Sequence, residues 1–492
     1  MDFLDPKKKR ARSIQLTIGH TLMALLVIIG TYLLVSQAYG FDVDKRTGTV
    51  IRNGLIFIDS APSDAQIKLN NVVQRNRTNS RLALPEGNYS LNIQKDGYRE
   101  WNRDFEMKGG YVEHFTYPML IPSTLDTVRL QTLTALPTTG LQSPDRRWVL
   151  LSTPTLGTFT QYDLNTLRDK KPVSSSVAFP TTLFNTTAGV HQVELVEWSN
   201  DNKNVLVKHS FTNGYEFLVL NRDEPNKSVN INQQLKQNPV RVALRDKKPD
   251  QLYLYQSGGV LQTASLKDST VTPFLTGVLA FKSHGDDVML YAQSTPNEPS
   301  KVRVSLKEGS KTYVLRDMPA SANIPLEIAR FDSKWYVVVG SEAEQKTYVY
   351  ENPQDYVNKN QDKRPSPVAV LKSTGPIRDV KFSQNTRFIM ANNGQHFAVY
   401  DVETDRSYAY DLKEQFDQSV KPIWMDGHRL IVSTGTQAMI FDYDGTNIQK
   451  LSAVEKTLPA FFNRDYTFVY TVSPQANGFD VNQVALRTPA DQ

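Results

Sequence analysis

The stretch LQSPDRRWVLL, from Leu141 to Leu151, decides the fold of this 492-residue chain. A bulky residue precedes a polar turn, and a strongly apolar strand follows it. The pattern returns as WSNDNKNVLV from Trp198 to Val207, FSQNTRFIM from Phe382 to Met390, WMDGHRLIV from Trp424 to Val432 and FNRDYTFVY from Phe462 to Tyr470. Weaker copies span Leu244–Tyr255, Phe281–Leu290 and Phe331–Val339. Eight apolar strands are thus expected to begin at 148, 205, 252, 288, 335, 388, 430 and 468. Their spacing scatters around the period of about 40 to 50 residues typical of propeller blades. One short antiparallel sheet cannot cover both of its own faces, so neighbours must flank it, and a closed ring leaves no end face bare. The apolar strand is read as the doubly covered strand inside each blade.

Working outward, Tyr162–Leu167, Phe397–Asp405 and Met439–Gly445 end strands in Asp-rich bends, and Gly258-Gly259 is a hairpin turn. The last copy runs out near Leu486 without an outer strand, while Thr127–Leu130 stands unassigned before the first, so the two ends are expected to complete one blade and latch the ring. The span from Asn352 to Pro367 reads as a loop inserted between strands of the fifth copy, disordered or facing a partner. Helical periodicity is missing except for a hint at Leu412–Phe416, which excludes parallel α/β sheets and their dinucleotide sites. The region 123–492 is therefore assigned to a propeller of seven or eight blades. Its copies resemble the TolB-like and WD-repeat class of β-propeller, with Ser143-Pro144-Asp145 closest to the Ser-Pro-Asp signature and degenerate forms at Ser199 and Ser383. No copy carries a Trp-Asp blade ending or a buried Asp-His pairing, which separates it from the intracellular WD-repeat subfamily. The resemblance implies binding and no chemistry.

At the other end, Ile18 to Ala38 reads IGHTLMALLVIIGTYLLVSQA without one Asp, Glu, Lys or Arg. At about 1.5 Å per residue this spans a hydrocarbon core of about 30 Å. Lys7, Lys8, Lys9, Arg10 and Arg12 lie before it, and Asp42 and Asp44 beside Lys45 and Arg46 after it, so the positive-inside rule puts the basic tail, 1–17, in the cytoplasm. Tyr32 and Tyr39 suit the outer headgroup level, and His20 sits near the inner end as an interfacial residue. The rival reading is a signal peptide cleaved after Ser36-Gln37-Ala38; the apolar run is longer than such a segment needs, which favours an anchor. Both readings export everything that follows.

After a polar stalk at 39–52, residues 53–122 form a separate unit. Strands are expected at Leu55–Asp59, Gln66–Leu69, Tyr89–Ile93, Trp101–Met107 and Tyr111–Tyr117, with turns at Asn70-Asn71 and Lys95-Asp96-Gly97-Tyr98. The Ser-x-Pro-like corner near Ser60, the loop Leu84-Pro85-Glu86-Gly87 and the Gly97-Tyr98 pair resemble a PEGA domain. Asn88 departs from the alanine of the name-giving motif, which matters little because the turn depends on Pro85 fixing φ and Gly87 permitting a left-handed backbone. The resemblance implies a small β-sandwich used as a spacer or adhesion-type unit of bacterial and archaeal surface proteins, with no catalytic residue. Glu86 is a loop residue, not a catalytic acid.

Composition narrows the chemistry further. Hydrophobic residues make up 39% and cysteines number 0, which supplies a core and removes disulfides, thiolate metal sites and cysteine nucleophiles. Most of the +5 charge sits in the first 12 residues, so no nucleic-acid partner follows. The seven histidines, at 20, 114, 191, 209, 284, 396 and 428, show no metal spacing, and no nucleophile elbow or phosphate loop occurs. Glu194, Glu197, Asp286 and Asp287 are numerous enough for a propeller glycosidase, but acids in polar turns ordinarily close the bend onto their own backbone. Asp286-Asp287 and Asp442-Tyr443-Asp444-Gly445 hint at calcium without completing a loop. No catalytic, metal or cofactor-binding residue is assigned, no cofactor is expected, and binding residues stay open. The expectation is a non-enzymatic, membrane-anchored surface protein of bacteria with a protein or glycan partner. An exported polysaccharide hydrolase or lyase and a ligand-free spacer are the alternatives.

Overall fold

The computed structural model describes residues 6–38, 40–43, 50–165, 171–285, 287–295, 298–360, 363–414, 416 and 420–491. Tyr39, Asp44, Lys45, Arg46 and Asp286, singled out above, lie outside them. The chain divides into two compact units, Met1–Ser123 and Thr124–Gln492.

Helix α1 covers Pro6–Ala38. It begins well before the apolar run, inside the basic tail: proline suits the first helical turn, and Lys and Arg are good helix formers. Its stretch Arg12–Ser36 is long and apolar enough to cross a membrane, with a mean hydropathy of 2.1 and none of it buried against protein.

The rest of the first unit is two four-stranded sheets. In one, Val50–Ile58 pairs antiparallel with Phe41–Val43 and Ser80–Pro85, and parallel with Val112–Phe115. The expected stalk is thus partly strand, extending this sheet. The other runs in the order Val72–Arg77, Gln66–Leu69, Gly87–Gln94, Trp101–Met107. Period-two alternation places Ile56, Ile58, Ile67, Leu91, Ile93 and Trp101 between the sheets. Asn70 and Asn71 both take positive φ, 49° and 64°, the backbone of a two-residue hairpin turn. Gly87 has a positive φ of 157°, a backbone that favours glycine as expected.

In the second unit the described residues form eight four-stranded antiparallel sheets, the first seven in chain order. The apolar strands begin at Trp148, Asn204, Gln251, Val288, Lys334, Phe388, Arg429 and Phe468, and each is second of four in its blade. Cores fill the gaps between successive blades, such as Leu150 and Phe159 of blade 1 against Val205 and Leu218 of blade 2. Tyr336 and Val338 of blade 5 likewise meet Ile389 and Tyr400 of blade 6. Blade 8 takes its outer strand from the start of the unit: Thr127–Leu133 pairs antiparallel with Gly478–Ala485. Val149, Leu151 and Tyr162 of blade 1 pack on Phe461, Tyr470 and Val481 of blade 8, which closes the ring.

Two expectations need correction. The span after Asn352 does lie between the third and fourth strands of blade 5, but it folds. Helix α3, Pro353–Lys359, buries Pro353, Gln354 and Val357, and Arg364 bonds to Asp317 of blade 4 at 2.7 Å. The helical turn expected at Leu412–Phe416 is absent among its described residues, where Leu412 is buried as coil; a short helix, α2, sits instead at Ile231–Leu235 in blade 2.

Candidate functional site

Chain-order antiparallel blades give the propeller two different faces. On one lie the turns joining first and second strands, where the repeated polar motif falls. On the other lie the second-to-third hairpins and the connectors between blades.

The motif's chemistry is local. The Ser143, Ser199 and Ser383 hydroxyls accept the N–H of Trp148, Asn204 and Phe388 at 2.9, 3.2 and 3.0 Å. Each also donates to the Asx two residues on, Asp145, Asp201 or Asn385. Asn463 plays the serine's part in blade 8, accepting from Phe468 N–H at 2.9 Å and donating to Asp465. The next residue is left-handed in all four: Arg146, Asn202, Thr386 and Tyr466 have φ between 57° and 62°. This backbone aims their side chains at other blades. Asn202 accepts from Asp145 N–H, Thr386 donates to the Arg330 carbonyl at 2.6 Å, and Tyr466 donates to Gln384 at 2.9 Å. Arg146 of blade 1 passes 4.2 Å over the Tyr466 ring of blade 8 to the Met425 carbonyl of blade 7, at 2.6 Å. Blades that are not neighbours in the ring can touch only near its axis, so Arg146, Tyr466 and Gln384 crowd the axis on the motif face. Burial lowers the Arg146 pKa from its ordinary value and raises that of Tyr466 to about 12.

Among the described residues, the acids weighed in the sequence are not brought together. Glu194 is exposed and Glu197 half-buried on the first strand of blade 2. Glu197 accepts Leu244 N–H at 2.6 Å and pairs with Lys247. Asp287 pairs with Arg245, and Glu86 is exposed, accepting Gly109 N–H at 3.3 Å. Glu327, not singled out before, sits between Lys282 of blade 4 at 2.7 Å and Lys381 of blade 6 at 3.6 Å. Asp442 accepts the side chain of Asn447, and Asp444 the hydroxyl of Thr446, as turn closures. Among the described residues no three His, Asp or Glu side chains are grouped to hold a metal ion.

The connector face is different. Between blades 5 and 6 lies an open cavity of about 540 Å³, lined by Glu342, Thr374, Arg378, Asn393, His396 and Asp411 among others. His396 Nδ1 meets the Asp411 carboxylate at 2.8 Å, Asn393 donates to Thr374 at 3.1 Å, and Glu342 accepts Asn323 N–H at 3.1 Å. The lining offers donors and acceptors and no aromatic face, which suits a hydrated polar group better than the flat side of a sugar ring. Exposed apolar side chains lie on this face too: Val190, Val240, Leu279 and Ile423 stand at the starts of first strands of blades 2, 3, 4 and 7, with Ile423 bordering a small apolar cavity. The sequence reading missed both features, because residues from separate blades meet only through the ring.

The PEGA domain family matches residues 53–119. No curated protein matches the chain. Solved structures similar to it include Hsv2 of Kluyveromyces marxianus, at 12% identity and TM-score 0.40 over 65% of this chain and 99% of that one. The β-propeller domain of Cps50 (Swd1) from Myceliophthora thermophila is 10% identical at TM-score 0.37, over 74% of this chain and all of that one. PorZ of Porphyromonas gingivalis, a surface component of its type-IX secretion system, is 9% identical at TM-score 0.37 over 71% of this chain and 43% of that one. These likenesses concern the fold alone.

Proposed function

We propose that this PEGA-domain propeller protein is anchored in a bacterial membrane by α1 and displays its domains outside the cytoplasm to bind a protein or a glycan. One observation carries the reading: Leu22, Leu26, Ile28 and Leu34 of α1 are 59 to 70% exposed, with no protein surface packed on them. Leaving such a helix in water costs about 25 cal/mol for each Å² of apolar surface, and lipid removes that cost. The basic residues before it orient the N-terminus to the cytoplasm. Binding is supported by the connector face, whose apolar side chains and polar cavity are the features that recognition uses, and by serine-capped turns that employ their polar groups internally.

The test is capture on glycan arrays and pull-down with the detergent-solubilised chain, compared with a variant carrying Leu279→Asp and Ile423→Asp. Capture of one ligand class, weakened at least about tenfold in the variant, is the expected result. Blank screens with well-folded protein would favour a spacer. Turnover of a polysaccharide would establish the enzyme reading instead.

A further inference from the structure

Blade 2 holds a buried polar chain that no binding reading requires. His209, on the second strand Asn204–Phe211, is 0% exposed, and Glu216, on the third strand Gly214–Asn221, is 6% exposed. His209 Nδ1 lies 2.9 Å from Glu216 Oε1. His209 Nε2 lies 2.9 Å from Nδ1 of His191, at the end of the connector from blade 1. His191 Nε2 in turn lies 2.9 Å from the Thr187 carbonyl oxygen. The two rings are 15° from coplanar with centroids 5.1 Å apart, the arrangement of rings meeting edge to edge across a nitrogen–nitrogen hydrogen bond.

Counting protons fixes the charge. The Thr187 carbonyl only accepts. Burial works to raise the Glu216 pKa, but bonds from His209, the Asn185 N–H at 2.7 Å and the Asn230 side chain at 2.8 Å hold it below its ordinary value, so it accepts as a carboxylate. Both outer contacts therefore need an N–H from a ring. Two neutral imidazoles carry one proton each, and the outer contacts use both, which would leave lone pair facing lone pair between the rings. A third proton turns that contact into a hydrogen bond. The groups meeting the rings are the Thr187 carbonyl, Glu216 and the rings of Phe184 and Phe211. Next along the strand, Lys208 turns to the Tyr215 ring, 5.2 Å away, and stands opposite Glu194 in register. Glu216 is thus the one countercharge touching the pair among the described residues.

We propose that His191 and His209 share one extra proton, which fastens the connector Phe184–His191 onto blade 2, and that losing it releases this segment. Phe184 anchors the start of the connector in the core between blades 1 and 2, and beyond it Asn185 bonds to Glu216 and Asn230 joins Glu216 to the Leu183 carbonyl at 2.8 Å. Released, it would reposition Val190, 80% exposed, on the connector face. The proton is present at acidic pH and lost as pH rises, so the device tightens in acid.

Hydrogen–deuterium exchange of the full chain in detergent, corrected for intrinsic rates, tests this between about pH 5 and 8, where histidine charge changes. Protection of peptides within 184–191 should fall about tenfold or more with rising pH, while the blade 3 strand Gln251–Gln256 keeps its protection. Glu216→Gln removes the countercharge and should move the fall to lower pH. The wild-type profile decides alone: constant protection of 184–191, or a fall shared equally by all blades, overturns the proposal. An unmoved profile in a folded Glu216→Gln chain does so too.

Discussion

Thr132 donates to Asp480 at 2.7 Å although 348 residues separate them. The bond lies in the pairing of Thr127–Leu133 with the third strand of blade 8, which joins the first strand of the propeller unit to its last blade. Closure by hydrogen bonds from opposite ends makes the ring one cooperative unit, because no blade can leave without exposing two neighbours.

Thr132→Ala should cost about 1 kcal/mol, the net worth of one hydrogen bond. Leu130→Asp, which places a charge against the core shared by blades 8 and 1, should cost far more and broaden the transition. Calorimetry of the two variants checks this; equal, negligible shifts would mean that the ring does not depend on its latch.

The serine-capped turns predict a stability pattern along the repeat. Ser199 and Ser383 are 0% and 2% exposed; Ser383→Ala takes the side-chain acceptor from Phe388 N–H, and Ser199→Ala takes one of the two side-chain acceptors of Asn204 N–H, the other being Asp201 at 3.2 Å. A loss of about 1–3 kcal/mol is expected in denaturant titration for each.

Arg387 grips Asp401 with two bonds of 2.9 and 2.6 Å between second and third strands of blade 6, and Asp401 is 1% exposed. Arg387→Met strands a buried carboxylate and should destabilise by about 3–5 kcal/mol. The double variant with Asp401→Leu should recover much of that loss, which a double-mutant cycle measures.

Two groups weaken the fold in acid, over different pH windows. Bonds from Arg303 and Arg364 hold Asp317 down to about 2, so its contribution is complete above the ordinary carboxyl range and disappears as pH falls toward 2. Burial against blade 6 lowers His428 to about 4, so the unfolded chain binds that proton first and stability declines as pH falls from about 6.5 to 4. His428→Gln should flatten the melting temperature between those values. Asp317→Asn should lower the melting temperature above the carboxyl range, with the difference from wild type shrinking as pH falls toward 2.

The starts of all eight apolar strands were legible to within a residue, for a physical reason. The second strand of each blade is covered on both faces by neighbours and so reads as an unbroken apolar run, as in Phe388–Asn392, buried throughout. First strands were not legible where they shrink to two residues, Ile423–Trp424 and Phe461–Phe462. Helix α3 hid behind Asn352-Pro353, which reads as a turn although proline also suits a first helical turn. The His209–Glu216 pair left one trace: a hairpin turning at Thr212-Asn213 sets positions 209 and 216 opposite each other. Nothing in the sequence says that His191 joins them, because that contact comes from the connector's path between blades.

The absence of cysteine makes the central claim directly measurable. Single cysteines placed at Lys267, exposed in a blade 3 hairpin, and at Arg12, at the start of the apolar stretch, report which side of the membrane each occupies. In spheroplasts treated with a membrane-impermeant maleimide, Lys267→Cys should label at once and Arg12→Cys only after lysis. Labelling of Arg12→Cys in intact spheroplasts with Lys267→Cys protected, or protection of both until lysis, would contradict the account.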